Sequence, residues 1–175
     1  MKTFNNYGKI YLMIKKFFII LFISSALITN SFSAGSSGGE GDGPKKTNYE
    51  KAVSFINSAK KYEKDGKLEK AKKRYEKAQK LLIKSNKKKP NKPNTLNYLG
   101  FTTRKLGDFE NGEKYYLQGL AIDPNHKGIN EYLGELYVVT KRHNLAVERL
   151  EVLSSCNCKE YEQLKAVIAG EPSKY

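Results

Sequence analysis

Apolar residues recur every three or four positions from Leu96 onwards, at Leu96, Leu99 and Leu106 with Thr103 between them. That interval puts one apolar stripe along one face of a helix. Gly100 sits in the stripe and, having no Cβ, lets a partner helix come close. Gly107 suits a helix C-terminus and Asp108 an N-cap, so the turn falls between them. A second helix is predicted from about Phe109 to Ile122, stopped by Asp123-Pro124. Such a hairpin cannot bury its own apolar face and needs neighbours.

The chain supplies them. Upstream, Phe55, Ala59, Tyr62, Gly66, Ala71, Tyr75 and Ala78 repeat the pattern between Ala52 and Ile83. One helix is predicted from about Tyr49 to Lys64, a turn at Asp65-Gly66, and a second helix from Leu68 towards Asn86. Downstream, Leu133-Gly134, Tyr137, Ala146 and Leu150 repeat it again. The interval from Gly112 to Ala146 is 34 residues, but from Ala71 to Gly112 it is 41. Seven extra residues equal about two helical turns, so a longer helix is the simplest accommodation. Lys159 to Gly170 puts Tyr161, Leu164, Val167 and Ile168 on one face, as a terminal helix covering the last hairpin would.

The order Leu96, Leu99-Gly100, Gly112, Tyr116 and Pro124 resembles the tetratricopeptide repeat (TPR), with Leu96 in the Trp place, Gly112 in the Ala place and Tyr116 in the Phe place. Thr103 departs from the usual Tyr. The resemblance covers about residues 49–158 and implies an all-α solenoid of three helix-turn-helix repeats plus a capping helix. The organisation expected is a signal peptide at 1–33, a Gly/Ser-rich linker at 34–47, repeats at about 52–92, 93–126 and 127–158, and the cap and tail at 159–175. The ending also resembles small exported bacterial TPR proteins that finish with two nearby cysteines and C-x-E-Y-x-x-L, here Cys158 to Leu164.

In TPR arrays the first helix of each hairpin lines a concave face. Carried over, that face holds Val53, Ile56, Lys60 and Lys64 from the first repeat. The second repeat gives Asn97, Tyr98, Phe101, Arg104 and Lys105, and the third Glu131, Tyr132, Glu135 and Val138. Ile56, Glu131 and Glu135 stand where carboxylate-clamp TPRs need Lys, Asn or Arg, which disfavours an acidic C-terminus as ligand. The implied partner is a protein or peptide held by Tyr98, Phe101 and Tyr132, aromatics being typical hot spots, or else some of these rings pack between helices.

Targeting and charge then qualify this picture. Lys15-Lys16 precede a run of about 12 mostly apolar residues, Phe17 to Ile28, and small residues follow at Ser31, Ser33 and Ala34. A basic head, a short apolar core and a small-residue exit predict a secretory signal peptide cleaved near Ser33-Ala34 and a periplasmic protein. An uncleaved membrane anchor is the alternative, although the run is short of the ~20 residues that span a bilayer. The net charge is +14, and it is lopsided. From Pro44 to Lys92 there are 18 Lys/Arg against 5 Asp/Glu, a net of +13, and from Pro93 to Tyr175 there are 10 against 11, a net of −1. A basic patch is expected at Lys72, Lys73, Lys77, Lys80, Lys84, Lys87, Lys88 and Lys89. It suits an anionic membrane surface, or is only a solvated lysine-rich face, and export makes nucleic acid an unexpected partner.

Catalytic chemistry has little to work with. His126 and His143 are the only histidines, both at predicted turns, and no nucleophile elbow, phosphate loop or zinc-protease motif occurs. No cofactor or metal is expected. Cys156 and Cys158 are a candidate disulfide in an oxidising compartment, with separate thiols and a thiol–disulfide exchange role as alternatives. The reading is a non-catalytic exported scaffold, with a membrane-surface adaptor and a redox protein as rivals.

Overall fold

The structure, a computed structural model, describes residues 45–173. The predicted signal peptide and most of the linker lie outside the described residues. Among the described residues seven helices follow one another: α1 (Asn48–Lys64), α2 (Leu68–Lys88), α3 (Pro93–Lys105), α4 (Phe109–Leu120), α5 (Lys127–Val139), α6 (His143–Leu153) and α7 (Lys159–Ile168). They pair as α1/α2, α3/α4 and α5/α6, and α7 lies across α5 and α6 as the cap. The fold is all-α, three stacked helical hairpins closed by a seventh helix.

Several of the starts and turns have a local cause. The Thr47 hydroxyl accepts from the Glu50 N–H while the Glu50 carboxylate accepts from the Thr47 N–H, a reciprocal capping box that begins α1. The Asp108 carboxylate accepts from the Asn111 N–H and begins α4. The inter-helix turns place Gly66 at φ 69° and Gly107 at φ 95°, the left-handed region that glycine enters without steric cost. In the third hairpin Lys141 holds that place at φ 60°. The extra residues of the first repeat extend its second helix: α2 has 21 residues against 12 in α4 and 11 in α6.

The second hairpin packs a large ring over a small residue. Tyr75 and Tyr116, at equivalent places in α2 and α4, are fully buried. A Cβ on Gly100 would lie 2.5 Å from Tyr116 Cε1, so the ring occupies the space that any side chain there would need. Opposite it, a Cβ on Gly112 would come within 3.2 Å of the Gly100 carbonyl oxygen, which explains glycine where alanine is usual. Gly134 receives Leu164 of the cap in the same way, at 2.5 Å from Cδ2. Thr103, in the place of the usual Tyr, accepts a 2.9 Å hydrogen bond from Gln79 Nε2, so a polar tie between α2 and α3 replaces an aromatic contact.

Candidate functional site

The first helices α1, α3 and α5 bring their predicted face residues together, but not as an open row of anchors. Six of the ten, Asn97, Phe101, Arg104, Glu131, Tyr132 and Glu135, are buried; Tyr98, Lys60 and Lys105 are partly exposed and Lys64 is exposed. Phe101, expected as a groove anchor, is 0% exposed and Tyr132 7%. The reason is geometric. Phe101 projects from α3 into the space between hairpins, where its ring centroid is 5.8 Å from that of Tyr75 and 4.9 Å from that of Tyr132. Lys60 crosses over from α1, its Nζ 4.6 Å from the Phe101 centroid and donating to the Tyr132 hydroxyl at 3.2 Å. Rings and cation therefore form the floor that joins three repeats.

Ion pairs surround this floor. Arg104 donates to Glu135 Oε2 at 2.9 Å and to the Tyr132 carbonyl at 3.3 Å, with both charged side chains almost fully enclosed. Ser173, beyond the cap, donates to the same carboxylate oxygen at 3.1 Å. Lys105 pairs with Glu63 at 2.7 Å, and Tyr75 donates its hydroxyl to Glu63 at 2.7 Å. Burial, and then the neighbouring Glu135 carboxylate, push the Glu131 carboxyl up to about 8. Burial likewise pulls the Lys60 ammonium down to about 8.

Two cavities open on either side of the floor. One, of about 490 Å³, is bordered by Asn97, Tyr98, Glu131 and Tyr132 together with Asn94, His126 and Lys159. The other, of about 270 Å³, is bordered by Glu63, Arg104, Lys105, Glu135 and Ser173 with Phe109, Val139 and Val167. Three buried acceptors on this face, Asn97 Oδ1, Glu131 Oε1 and Glu135 Oε1, have no hydrogen-bond partner among the described residues. A buried acceptor left unmade costs roughly 1–3 kcal/mol, so their concentration on one face is a feature to be explained.

His126, at a predicted turn, has partners on both ring nitrogens. Its Nδ1 accepts from the Ile129 N–H at 3.1 Å and so caps α5, while Nε2 lies 2.8 Å from Asn94 Oδ1 at the start of α3. Burial lowers its pKa, in keeping with a neutral ring that accepts on one nitrogen and donates on the other. The His-x-x-Ile spacing ahead of a helix carries that N-cap, but nothing in the spacing points to Asn94. Among the described residues no group of three His, Cys, Asp or Glu could hold a metal ion. Cys156 and Cys158 are joined in a disulfide just before α7, with Asn157 between them at φ 43°. The eight lysines of the predicted patch lie along α2 and its exit, all of them exposed.

Comparison with known proteins follows the hairpins. Residues 96–126, which span α3 and α4, match the family model of the tetratricopeptide repeat. The match covers the second hairpin, and hairpins of the same kind stand on both sides of it. Among solved structures it is similar to the first TPR domain of Spaghetti (RPAP3) bound to an HSP90 peptide, at 18% identity and a TM-score of 0.48, over 71% of this chain and 98% of that one. No curated protein matches.

Proposed function

We propose that the protein is an exported, non-catalytic scaffold that holds a protein or peptide partner on the face of α1, α3 and α5. The observation that carries this reading is the set of partnerless buried acceptors, Asn97 Oδ1, Glu131 Oε1 and Glu135 Oε1, beside two cavities. A face that only had to pack would not gather acceptors without donors. It calls for a partner that brings N–H groups, whether backbone amides or Lys and Arg side chains. Phe101 and Tyr132 then shape the floor, and Tyr98, partly exposed at the rim of the larger cavity, is the aromatic that a partner reaches first. Export rests on the residue pattern of positions 15–34.

The test is affinity capture from an envelope extract with the wild-type chain, Tyr98→Ala and Glu131→Gln. A band weakened about ten-fold in Tyr98→Ala, as loss of an aromatic hot spot worth about 1–2 kcal/mol implies, supports the reading. A band of equal strength with all three folded proteins removes this face from the interaction.

A further inference from the structure

A second concave site lies at the opposite edge of the first hairpin. There a cavity of about 630 Å³ is bordered by six lysines: Lys45, Lys46, Lys51, Lys88, Lys89 and Lys92. They come from three separate segments, the approach to α1, the end of α2 and the loop into α3. All six are exposed, and none forms an ion pair or side-chain hydrogen bond among the described residues. The one carboxylate in the first turn of α1, Glu50, is turned back onto Thr47, whose N–H and hydroxyl it engages at 2.7 and 3.0 Å. No carboxylate borders the cavity, although the Glu50 charge is felt by Lys46.

The backbone adds to the same sign. Thr47, Asn48 and Tyr49 at the N-terminus of α1 and Asn94 and Thr95 at that of α3 border the same cavity. α3 begins at Pro93 with no side-chain cap, so no carboxylate or hydroxyl offsets the partial positive charge that the helix dipole places at that end. Six ammonium groups and the N-terminus of α3 facing one concavity focus positive potential where water is partly excluded.

The lengthened α2 is what assembles this arrangement. Its seven residues beyond the 34-residue period add about 10 Å of helix, and they carry Ser85, Lys88 and Lys89 past the start of α1 to meet Lys45 and Lys46. α4 and α6 are too short to build such a wall. The loop that follows is tied down, Asn91 accepting from Gln118 of α4 at 3.0 Å, so Lys92 is held at the rim. The irregular spacing that the repeat pattern leaves unexplained thus has a structural product.

We infer that this cavity is an anion site for a cluster of phosphate groups. Lysine ammoniums are point charges with freely turning donors, suited to charge density and indifferent to planar shape, and no arginine borders the cavity. A single carboxylate would leave most of the six uncompensated. Several phosphates close together, in an oligophosphate or on the headgroups of an anionic lipid surface, match the number and spread of the lysines.

The whole chain is titrated with inorganic tripolyphosphate by calorimetry and sedimented with phosphatidylcholine vesicles with and without phosphatidylglycerol. Two variants of equal charge change are compared, Lys45→Glu/Lys88→Glu/Lys92→Glu in the cavity and Lys72→Glu/Lys73→Glu/Lys77→Glu farther along α2, at least about 16 Å from Lys88. The Lys45→Gln/Lys88→Gln/Lys92→Gln variant is run beside them, and circular dichroism checks each fold. The expected result is saturable binding that weakens with salt and falls about ten-fold or more in the cavity variants, with less than about three-fold loss in the control. Binding of tripolyphosphate alone assigns a soluble phosphate source, and binding of the charged vesicles alone a lipid source. Equal loss in both triple variants, or no binding of either probe at low salt, overturns the site.

Discussion

The first hairpin and the two that follow it are one motif put to opposite electrostatic use. Residues 45–92 hold a net +13 and keep nearly all of it in water, along α1, along α2 and around the exit of α2. Residues 93–175 net −1, yet that part encloses Arg104, Glu131 and Glu135. Formal charge is thus largest where it touches the fold least. A screened surface lysine interacts weakly with its neighbours, whereas an enclosed carboxylate must be paired, protonated or costly. Net charge describes what the first repeat attracts; the second and third repeats are shaped by where a few charges sit.

Breaking the enclosed pair gives the largest effect. Arg104→Ala removes the partner of Glu135 and leaves a carboxylate 1% exposed, which is expected to destabilise the protein by about 3–5 kcal/mol in urea unfolding. The double variant Arg104→Met/Glu135→Met recovers much of that loss, because no buried charge remains. On the basic side, Lys72→Glu/Lys73→Glu/Lys77→Glu shifts stability by no more than about 0.5 kcal/mol. Equal costs on the two sides would erase the distinction between them.

The close helix approaches rank next. Gly100→Ala drives a Cβ to within 2.5 Å of the enclosed Tyr116 ring and costs about 1–3 kcal/mol. Gly134→Ala meets the branched end of the Leu164 side chain, its methyls and Cγ, which can turn aside more readily than an enclosed ring, so its cost is smaller. If Gly134→Ala proves the worse of the two, the cap is held more rigidly than the second hairpin.

Those glycines also show how much of the fold is legible in the residues alone. Leu96, Gly100, Gly107, Asp108 and Tyr116 announce a hairpin because local chemistry decides each of them: a stripe, a close approach, a left-handed turn, a cap. The long α2 follows from counting residues between Ala71 and Gly112. Phe101 and Tyr132 are legible as belonging to the inner face, but not as its buried floor, since burial depends on Tyr75 and Lys60 arriving from another hairpin. The six-lysine cavity is illegible for a similar reason. Lys45 and Lys92 are far apart in the chain, and the seven-residue extension reads as length, not as a wall.

Acidity divides the regions in a graded way. Glu131 keeps its proton up to about pH 8 in the folded protein, whereas in the unfolded chain it ionises near about pH 4.3. Folding therefore retains a proton that the unfolded chain gives up, and stability falls as pH rises from about 4 to 8. Glu131→Gln should flatten that decline and raise stability at pH 8 by about 1–3 kcal/mol. Lys60 acts in the next window: its folded pKa near 8 lies below its unfolded value, so its penalty is full below about pH 8 and lifts towards about pH 10. A decline that persists unchanged in Glu131→Gln would assign the proton to another group.

The smallest effect separates the third hairpin from the other two. Gly66 and Gly107 turn their chains in the left-handed region at no steric cost, while Lys141 holds φ 60° with a side chain. An L residue there is disfavoured by about 1–2 kcal/mol, but glycine also loses about 0.5–1 kcal/mol more backbone entropy on folding. Lys141→Gly should therefore stabilise the protein by no more than about 1 kcal/mol. Gly107→Lys, the reverse exchange, should destabilise it by a similar amount. Both read out as opposite shifts of the urea midpoint at constant slope. Equal and opposite shifts would make the two turns interchangeable. A gain at Lys141 without a matching loss at Gly107 would mean that the second turn is held by more than its own backbone preference. A loss at Gly107 without a gain at Lys141 would mean that the Arg142 guanidinium, clamped on both oxygens of Glu113 at 2.9 and 2.7 Å, already holds the third turn in place.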